Sequence, residues 1–187
     1  MTLFLASTSP RRGELLSQIN IKYERVKASI EEVQSADELA HEYVQRLALE
    51  KAKAGLINNK NKGPVLGADT IVVCDDCVME KPKDKQHAQQ MMQSLSGNTH
   101  QVYTAIALVD QQHALTQLVS TDVTFKILSE KDISEYWETG EPQDKAGGYG
   151  IQGIAGQFVS HLSGSYSAVV GLPLYETAEL LKRFKEL

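Results

Sequence analysis

Apolar runs and amphipathic stretches alternate along the 187-residue chain. The short run Leu3–Ala6 is apolar throughout and predicts a buried strand. Ser9 and Pro10 then have the sequence of a helix start, which predicts a helix that runs to about Gln18. The longest apolar run, residues 65–73, is apolar on both faces of a strand and therefore predicts a central strand.

The remaining pattern predicts helices and strands in an irregular order. Because the order is not a regular β-α-β alternation, we expect a single α/β domain over residues 1–187, with a mixed central sheet flanked by helices. The further elements are a strand at 23–26, a helix from Ser35 or Asp37 to about 56, a loop to Gly63, a helix at 84–95, an antiparallel hairpin of strands 101–109 and 115–128, a helix from Ser129 to about 138, a strand at 154–162, a turn at 163–167 and a helix from about 172 to 184.

Composition narrows the functional class. The apolar fraction of 42% is ordinary for a globular protein of this length. The formal net charge of −5 argues against broad binding to nucleic acid or membranes, but a local cluster of cations can still bind a small anion. The N-terminus lacks the basic and apolar regions of a signal peptide, and no run is long enough to span a membrane, which predicts a cytoplasmic protein.

Cys74 and Cys77 form a C-x-x-C pair. This spacing occurs in zinc sites and redox pairs, but no further metal ligands and no thioredoxin-like strand and helix accompany it here. The favoured interpretation is two reduced thiols near a strand end.

The junction between the first strand and the first helix concentrates groups that bind anions. Ser7, Ser9, Arg11 and Arg12 lie at a helix start, where free backbone N–H groups and the helix dipole favour negative charge. Arginine in a first turn opposes that dipole, and a bound phosphate would relieve the conflict. The alternative is an ordinary helix cap with two solvated arginines, and the residues alone leave both interpretations open.

Asp69 interrupts the apolar strand 65–73. A buried carboxylate is costly unless it is paired or binds a metal, and burial opens its pKa to the tuning that a general base needs. The alternative is a structural aspartate whose oxygens are satisfied by backbone amides.

Other charged residues occupy unusual positions. Lys51 continues the apolar stripe of the long helix, so it needs an anion beside it or must extend to solvent at the edge of the stripe. Lys81 lies in a loop stiffened by a proline, and an ordinary solvated lysine is the alternative. Glu31 and Glu32 precede the long helix, and one of them could share a divalent cation with Asp69, although a solvated acidic pair is the simpler interpretation.

A glycine-rich loop spans residues 147–153 and matches neither a Walker A motif nor a Rossmann fingerprint. Its glycines let backbone approach a ligand closely. Gln152 offers a donor and an acceptor, which suits the edge of a uracil or thymine ring. A tight turn with an exposed glutamine is the alternative.

These features occur together in the order typical of one known family. The chain resembles the Maf family of nucleoside triphosphate pyrophosphatases over essentially its whole length. The motifs that carry the resemblance are L-A-S-x-S-P-R-R at 5–12, E-K-A at 50–52, G-A-D-T at 67–70, E-K-P at 80–82, S-G at 96–97, D-K-A-G-x-Y-G-I-Q-G at 144–153 and V-G-L-P at 170–173.

The resemblance implies an enzyme that hydrolyses the α–β bond of a nucleoside triphosphate, yielding the monophosphate and pyrophosphate with a divalent cation, Mg²⁺ or Mn²⁺. It identifies Asp69 with the proton acceptor. It also implies an elongated, two-lobed fold similar to that of the inosine triphosphate pyrophosphatases, with an active-site cleft, often as a homodimer. The residues that match the active cleft are Ser7, Arg12, Glu32, Lys51 and Lys81.

The resemblance also predicts the substrate. Arg11, Thr70 and Gln152 match the positions that select the base, and this combination is typical of the branch that acts on dTTP and UTP and related pyrimidines. We therefore expect nucleotide-pool house-cleaning. The family's link to inhibition of septum formation further implies a role in cell division arrest.

The resulting hypothesis assigns a role to each residue. Asp69 deprotonates water for in-line attack at the α-phosphorus, and Glu32 and Asp69 bind the metal. The main rival is a nucleotide-binding regulator of division that acts through a partner protein, and an oxidoreductase with a glycine-rich loop is a weaker one. The groups expected to hold the triphosphate are Arg11, Arg12, Lys51, Lys81 and the hydroxyls of Ser7 and Ser9.

Overall fold

The computed structural model describes residues 2–60 and 62–187. Its seven strands are β1 (Leu3–Ala6), β2 (Tyr23–Arg25), β3 (Val65–Cys74), β4 (Cys77–Met79), β5 (Thr99–Val109), β6 (Ala114–Phe125) and β7 (Val159–Ser163). Its six α-helices are α1 (Pro10–Gln18), α2 (Ala40–Asn58), α3 (Lys85–Leu95), α4 (Glu130–Glu138), α5 (Tyr166–Val170) and α6 (Leu174–Lys185). Short 3₁₀ helices occupy Glu141–Asp144, Ala146–Gly148 and Ile154–Phe158.

The strands form one mixed sheet in the order β2-β1-β3-β5-β6-β7, with β4 paired to β3. Strand β1 is parallel to both β2 and β3, whereas β4 and β7 are antiparallel to β3 and β6. Strands β5 and β6 are neighbours joined by residues 110–113, a connection too short for a parallel crossover, so they form the predicted antiparallel hairpin. The predicted α/β fold with a mixed sheet and flanking helices is confirmed.

The chain divides into two compact units. The first contains the residues up to Thr70 together with 104–119 and 171–187, and the second contains 71–103 and 120–170. Strands β3, β5 and β6 contribute residues to both units. The expectations of a single domain and of an elongated shape with a cleft stay predictions.

Each unit has its own apolar core. In the first unit, β1 and residues 65–69 of β3 are buried and α2 covers them with Val44, Leu47 and Ala48, as the predicted stripe requires. In the second unit, the core includes Val72, Leu95, Val102, Val123, Phe125, Ile133, Tyr149 and Phe158. Among the described residues, no helix has both the length and the apolarity that crossing a membrane demands.

The long helix begins later and ends later than predicted. It starts at Ala40 because Glu42 accepts a hydrogen bond from the Leu39 N–H at 3.2 Å, while Glu38 is engaged by Arg46 at 2.6 Å. It continues to Asn58 because Gly55 packs against Ala6, Val26 and Val65 and does not stop the helix. The predicted loop to Gly63 includes Asn61, which lies outside the described residues.

Two further predictions were wrong in detail, and one strand was missed. The predicted strand 154–162 is a 3₁₀ helix in its first half and becomes a strand only at Val159. The predicted turn 163–167 overlaps helix α5. Strand β4 was not predicted, because its hairpin depends on positive φ angles at Asp75 and Asp76, two residues that tolerate this conformation.

The two cysteines flank this hairpin turn as directly opposed residues of β3 and β4. Both are free thiols, and burial raises the pKa of Cys74. The interpretation as thiols at a strand end therefore agrees with the fold.

Candidate active site

The strand-to-helix junction is ordered by hydrogen bonds within itself. Ser9 is the N-cap residue of α1, as predicted, but its side chain makes no capping hydrogen bond. Instead, the Ser9 N–H donates to the hydroxyl of Ser7 at 3.2 Å. The junction therefore lacks the side-chain hydrogen bond of an ordinary helix cap.

Arg12 is held on three sides by acceptors. Its Nε donates to the Gly171 carbonyl at 2.8 Å, and its two terminal nitrogens donate to the hydroxyls of Ser7 and Thr70, each at 3.3 Å. A guanidinium has more N–H donors than these contacts use, so Arg12 keeps donors for a further ligand. Burial lowers its pKa and the nearby Asp69 carboxylate opposes that shift, so Arg12 is not a solvated surface cation.

The hydroxyl of Thr70 is shared. It accepts from Arg12, and it lies 3.0 Å from the hydroxyl of Thr104 on β5, with which it forms a hydrogen bond. Thr70 therefore fixes the position of Arg12 in the first unit.

Asp69 is buried, with 6% of its surface exposed, and it is paired. Its Oδ1 accepts a hydrogen bond from Nζ of Lys51 at 2.6 Å, and the same Nζ lies 2.7 Å from Oε1 of Glu32. Burial raises the pKa of Asp69, and the positive charges of Lys51 and Arg12 oppose this shift. Among the described residues, the carboxylate is thus satisfied by a side-chain cation and not by the backbone amides of the alternative interpretation.

Local packing explains why Lys51 reaches Asp69. Gly67 and Asp69 point to the same face of β3 because alternate strand residues share a face. A side chain at Gly67 would collide with the backbone of Ala48 and Ala52, so the glycine lets α2 lie directly against the strand. This close approach places Lys51, which lies one helical turn after Ala48 on α2, beside the carboxylate of Asp69.

Two carboxylates converge on one cationic position. Glu32 and Asp69 both contact the ammonium of Lys51, which occupies the space that a cation shared by them would take. Within residues 2–60 and 62–187, no group of three or more His, Cys, Asp or Glu side chains could hold a metal.

The predicted residues fall into two groups. The first unit brings together Ser7, Arg12, Glu32, Lys51, Asp69 and Thr70, with Ser9 and Arg11 at the adjacent start of α1. Lys81 and Gln152 are exposed residues of the second unit. The roles of both groups of residues in binding and catalysis stay predictions.

Known proteins resemble the chain along its length. A family model described as "Maf-like protein" matches residues 2–184. The chain belongs to this family. A Shigella dysenteriae relative named dTTP/UTP pyrophosphatase is 56% identical over 186 residues, which cover 100% of this chain and 94% of the relative, and a relative of the same name from Escherichia coli K12 matches to the same extent. The crystal structure of a dITP/XTP pyrophosphatase from Mycobacterium abscessus is 18% identical, covers 67% of this chain and 74% of its own, and has a TM-score of 0.48, a likeness that does not bear on the reaction.

In this Maf-like chain, the glycine-rich loop is anchored by a residue that sequence reasoning missed. The carboxylate of Glu141 accepts the N–H groups of Ile154 and Ala155 at 2.8 and 3.3 Å and the hydroxyl of Tyr136 at 2.9 Å. Gly153 leaves the space that this carboxylate fills. The sequence did not predict this contact, because Glu141 lies far from Ile154 in the chain and a glutamate after a helix end is usually solvated.

Arg25 is a second residue beside the candidate site that the sequence did not reveal. It ends β2, and its Nη1 lies 3.1 Å from the Ser7 carbonyl and 3.4 Å from the Ser9 carbonyl. Only the parallel register of β1 and β2, which pairs Leu5 with Arg25, brings it to the junction. The pairing of β1 with β2 is therefore the information that would have placed Arg25 beside the junction.

Proposed function

We propose that this chain is a nucleoside triphosphate pyrophosphatase that hydrolyses dTTP and UTP to the monophosphate and pyrophosphate. The observation that carries the proposal is the buried Asp69 carboxylate beside the Lys51 ammonium and the fixed Arg12 guanidinium. A buried carboxylate can accept a proton from the attacking water, and nearby cations stabilise the charge that develops on a polyphosphate. The full-length relatives named dTTP/UTP pyrophosphatase support the same reaction.

The cations bind the substrate before the reaction. Arg12 is already oriented by Ser7, Thr70 and Gly171, so little side-chain entropy is lost when its remaining N–H groups meet phosphate oxygens. The proposed phosphate contacts are completed by Ser9, Arg11, Lys51 and Lys81.

Asp69 performs the proton transfer. It accepts a proton from a water molecule, and the water oxygen bonds to the α-phosphorus while the bond between that phosphorus and the bridging oxygen breaks. Pyrophosphate leaves with that oxygen. The positive charges of Arg12 and Lys51 stabilise the negative charge that develops on the phosphates.

Glu32 and Asp69 would hold a divalent cation, Mg²⁺ or Mn²⁺. Their fit rests on their shared contact with the Lys51 ammonium, which shows both carboxylates directed at one position of positive charge. When bound, the metal supplies charge neutralisation at the phosphate oxygens. Two side chains leave further ligand positions for phosphate and water oxygens.

Arg11, Thr70 and Gln152 are proposed to select the pyrimidine base. The hydrogen bonds of Thr70 to Arg12 and Thr104 support an indirect contribution, in which Thr70 sets the position of the phosphate and thereby of the base. The setting we propose is a cytoplasmic homodimer that clears dTTP, UTP and modified pyrimidine triphosphates, with an effect on cell division.

A panel of nucleoside triphosphates, assayed for pyrophosphate release with and without Mg²⁺ or Mn²⁺, tests the proposal. We expect UTP and dTTP to be hydrolysed best, only with metal, and Asp69→Asn to lose activity by about 10²-fold or more. Asp110→Asn, on the turn between β5 and β6, is the control and should retain activity. Preference for ATP or GTP, or near-wild-type turnover in Asp69→Asn, would refute the assignment.

The same variant separates the enzyme from the rival regulator. If Asp69→Asn binds UTP and keeps an effect on division while hydrolysis is lost, that effect does not need turnover.

A further inference from the structure

We propose that Arg25 is a positioning residue of the phosphate site, acting through the Ser7–Ser9 segment and resting on the function proposed above. Its guanidinium bridges two carbonyl oxygens of this segment, at 3.1 Å from Ser7 and 3.4 Å from Ser9. No step of the proposed reaction uses Arg25 directly.

The first consequence concerns the direction of the peptide groups. In a trans peptide the C=O and the following N–H point to opposite sides. When Arg25 binds the Ser7 carbonyl, the Thr8 N–H therefore faces away from Arg25. Thr8 is exposed, and its N–H donates to none of the residues that the structure describes, so it is available to an anion.

The second consequence concerns the Ser9 carbonyl. The next residue is Pro10, whose nitrogen carries no hydrogen, so this peptide group offers an acceptor without a donor. A carbonyl oxygen turned toward a phosphate would repel it. Arg25 draws this oxygen to its own positive charge at 3.4 Å.

Arg25 is also coupled to the residue that grips the phosphate. The Ser7 hydroxyl accepts from Nη1 of Arg12 at 3.3 Å, while the Ser7 carbonyl accepts from Arg25 at 3.1 Å. One serine thus connects two guanidinium groups. Movement of the Ser7 backbone would carry away an acceptor that orients Arg12.

Gly13 provides the space for this arrangement. It lies in the first turns of α1, where a glycine costs helix stability relative to alanine. A methyl group there would lie 2.8 Å from Nη2 of Arg25 and would collide with the hydroxyl of Tyr23. The glycine is therefore explained by the room that the Arg25 guanidinium and Tyr23 require beside the helix.

The test separates positioning from general structural damage. In the full chain, Arg25→Met is compared with Arg25→Lys and with Arg183→Met, which removes the same charge from the exposed last turn of α6. The measurements are KM and kcat for UTP, the inhibition constant of pyrophosphate, and the rise in Tm that inorganic tripolyphosphate produces.

We expect Arg25→Met to raise KM and the inhibition constant about tenfold, equivalent to about 1.4 kcal/mol, while kcat changes less than about threefold. Arg25→Lys should fall between Met and wild type, because an ammonium keeps the charge but not the planar fork. Arg183→Met should resemble wild type.

Equal KM values in wild type and Arg25→Met, or a fall in kcat alone, would overturn the inference, as would the same change in Arg183→Met. The tripolyphosphate experiment needs no turnover. Suppose that the wild-type protein hydrolyses no nucleotide, but that tripolyphosphate raises its Tm more than it raises the Tm of Arg25→Met. The proposed reaction then fails and the role of Arg25 stands. If Arg25→Met is stabilised like wild type, the role of Arg25 fails.

Discussion

At the scale of single residues, the site depends on one ammonium group that serves two carboxylates. Lys51 touches both Asp69 and Glu32, and Asp69 is buried. The sequence predicted that an inward lysine needs an anion and that a buried aspartate needs a partner. It did not predict that each would satisfy the other, because nothing in the local pattern shows that Gly67 lets the helix backbone approach the strand.

Replacing Lys51 should therefore expose the cost of burying Asp69. We expect Lys51→Met to lower the free energy of unfolding at neutral pH by on the order of 3 kcal/mol, because it leaves a buried carboxylate unpaired. Loss of the ammonium raises the pKa of Asp69 further. The folded variant then takes up a proton on Asp69 as the pH falls. Its loss of unfolding free energy relative to wild type is therefore greatest above that pKa and becomes smaller toward acid pH.

Urea unfolding of Lys51→Met at several pH values, with and without Mn²⁺, checks this prediction. Mn²⁺ should recover part of the lost stability, since it would replace the missing charge between Glu32 and Asp69. Lys53→Met, an exposed residue of the same helix, is the matched control. A deficit that is independent of pH and unchanged by Mn²⁺ would contradict the pairing.

At the scale of elements, the periodic pattern predicted most helices and strands and failed where a distant side chain decides the conformation. The residues 154–158 have the apolar content of a strand. They form a 3₁₀ helix because Glu141 accepts the N–H groups of Ile154 and Ala155 at its start. Likewise, α2 begins at Ala40, after Glu38 has paired with Arg46 on the helix itself. The local sequence around each segment does not show that Glu141 or Arg46 will lie beside it in the folded chain.

The Glu141 contact should hold the segment that follows Gln152. We expect Glu141→Gln to lower the free energy of unfolding by about 1–3 kcal/mol, because an amide can satisfy fewer of these donors than a carboxylate. Hydrogen exchange at the amides of Ile154 and Ala155 should become faster. The matched control is Glu135→Gln, which alters only an exposed ion pair with Lys131 on α4.

Thermal unfolding and amide exchange measure these two effects. Exchange at Ile154 and Ala155 that is as slow in Glu141→Gln as in the control would show that other contacts hold the loop.

At the scale of the whole molecule, the ordered motifs carried the prediction further than residue chemistry did. Motifs from residue 5 to residue 173 indicated the family, and the match over 2–184 confirms it. The family resemblance implied two lobes, but the apolar pattern did not show where the chain divides into its two units, because strands β3, β5 and β6 read as continuous elements although each contributes to both units.

His100 links global stability to pH. It is 2% exposed, its Nε2 lies 2.7 Å from the Tyr149 hydroxyl, and the rings of Phe125 and Tyr149 pack edge-on against it. Burial lowers its pKa to about 4, against about 6.5 for an unfolded histidine. Between these values the unfolded chain binds more protons than the folded one, so stability rises with pH across this window and is lost as the pH falls through it.

We expect this residue to contribute a change of about 3 kcal/mol in the free energy of unfolding between pH 6.5 and 4, since each pKa unit corresponds to about 1.4 kcal/mol. Urea unfolding across this range should show a shallower pH dependence in His100→Gln, which cannot take up a proton. His161→Gln, on exposed β7, should keep the wild-type slope. All three proteins carry the same carboxylates, so the difference between slopes isolates His100, and identical slopes in wild type and His100→Gln would show that the buried ring does not control acid stability.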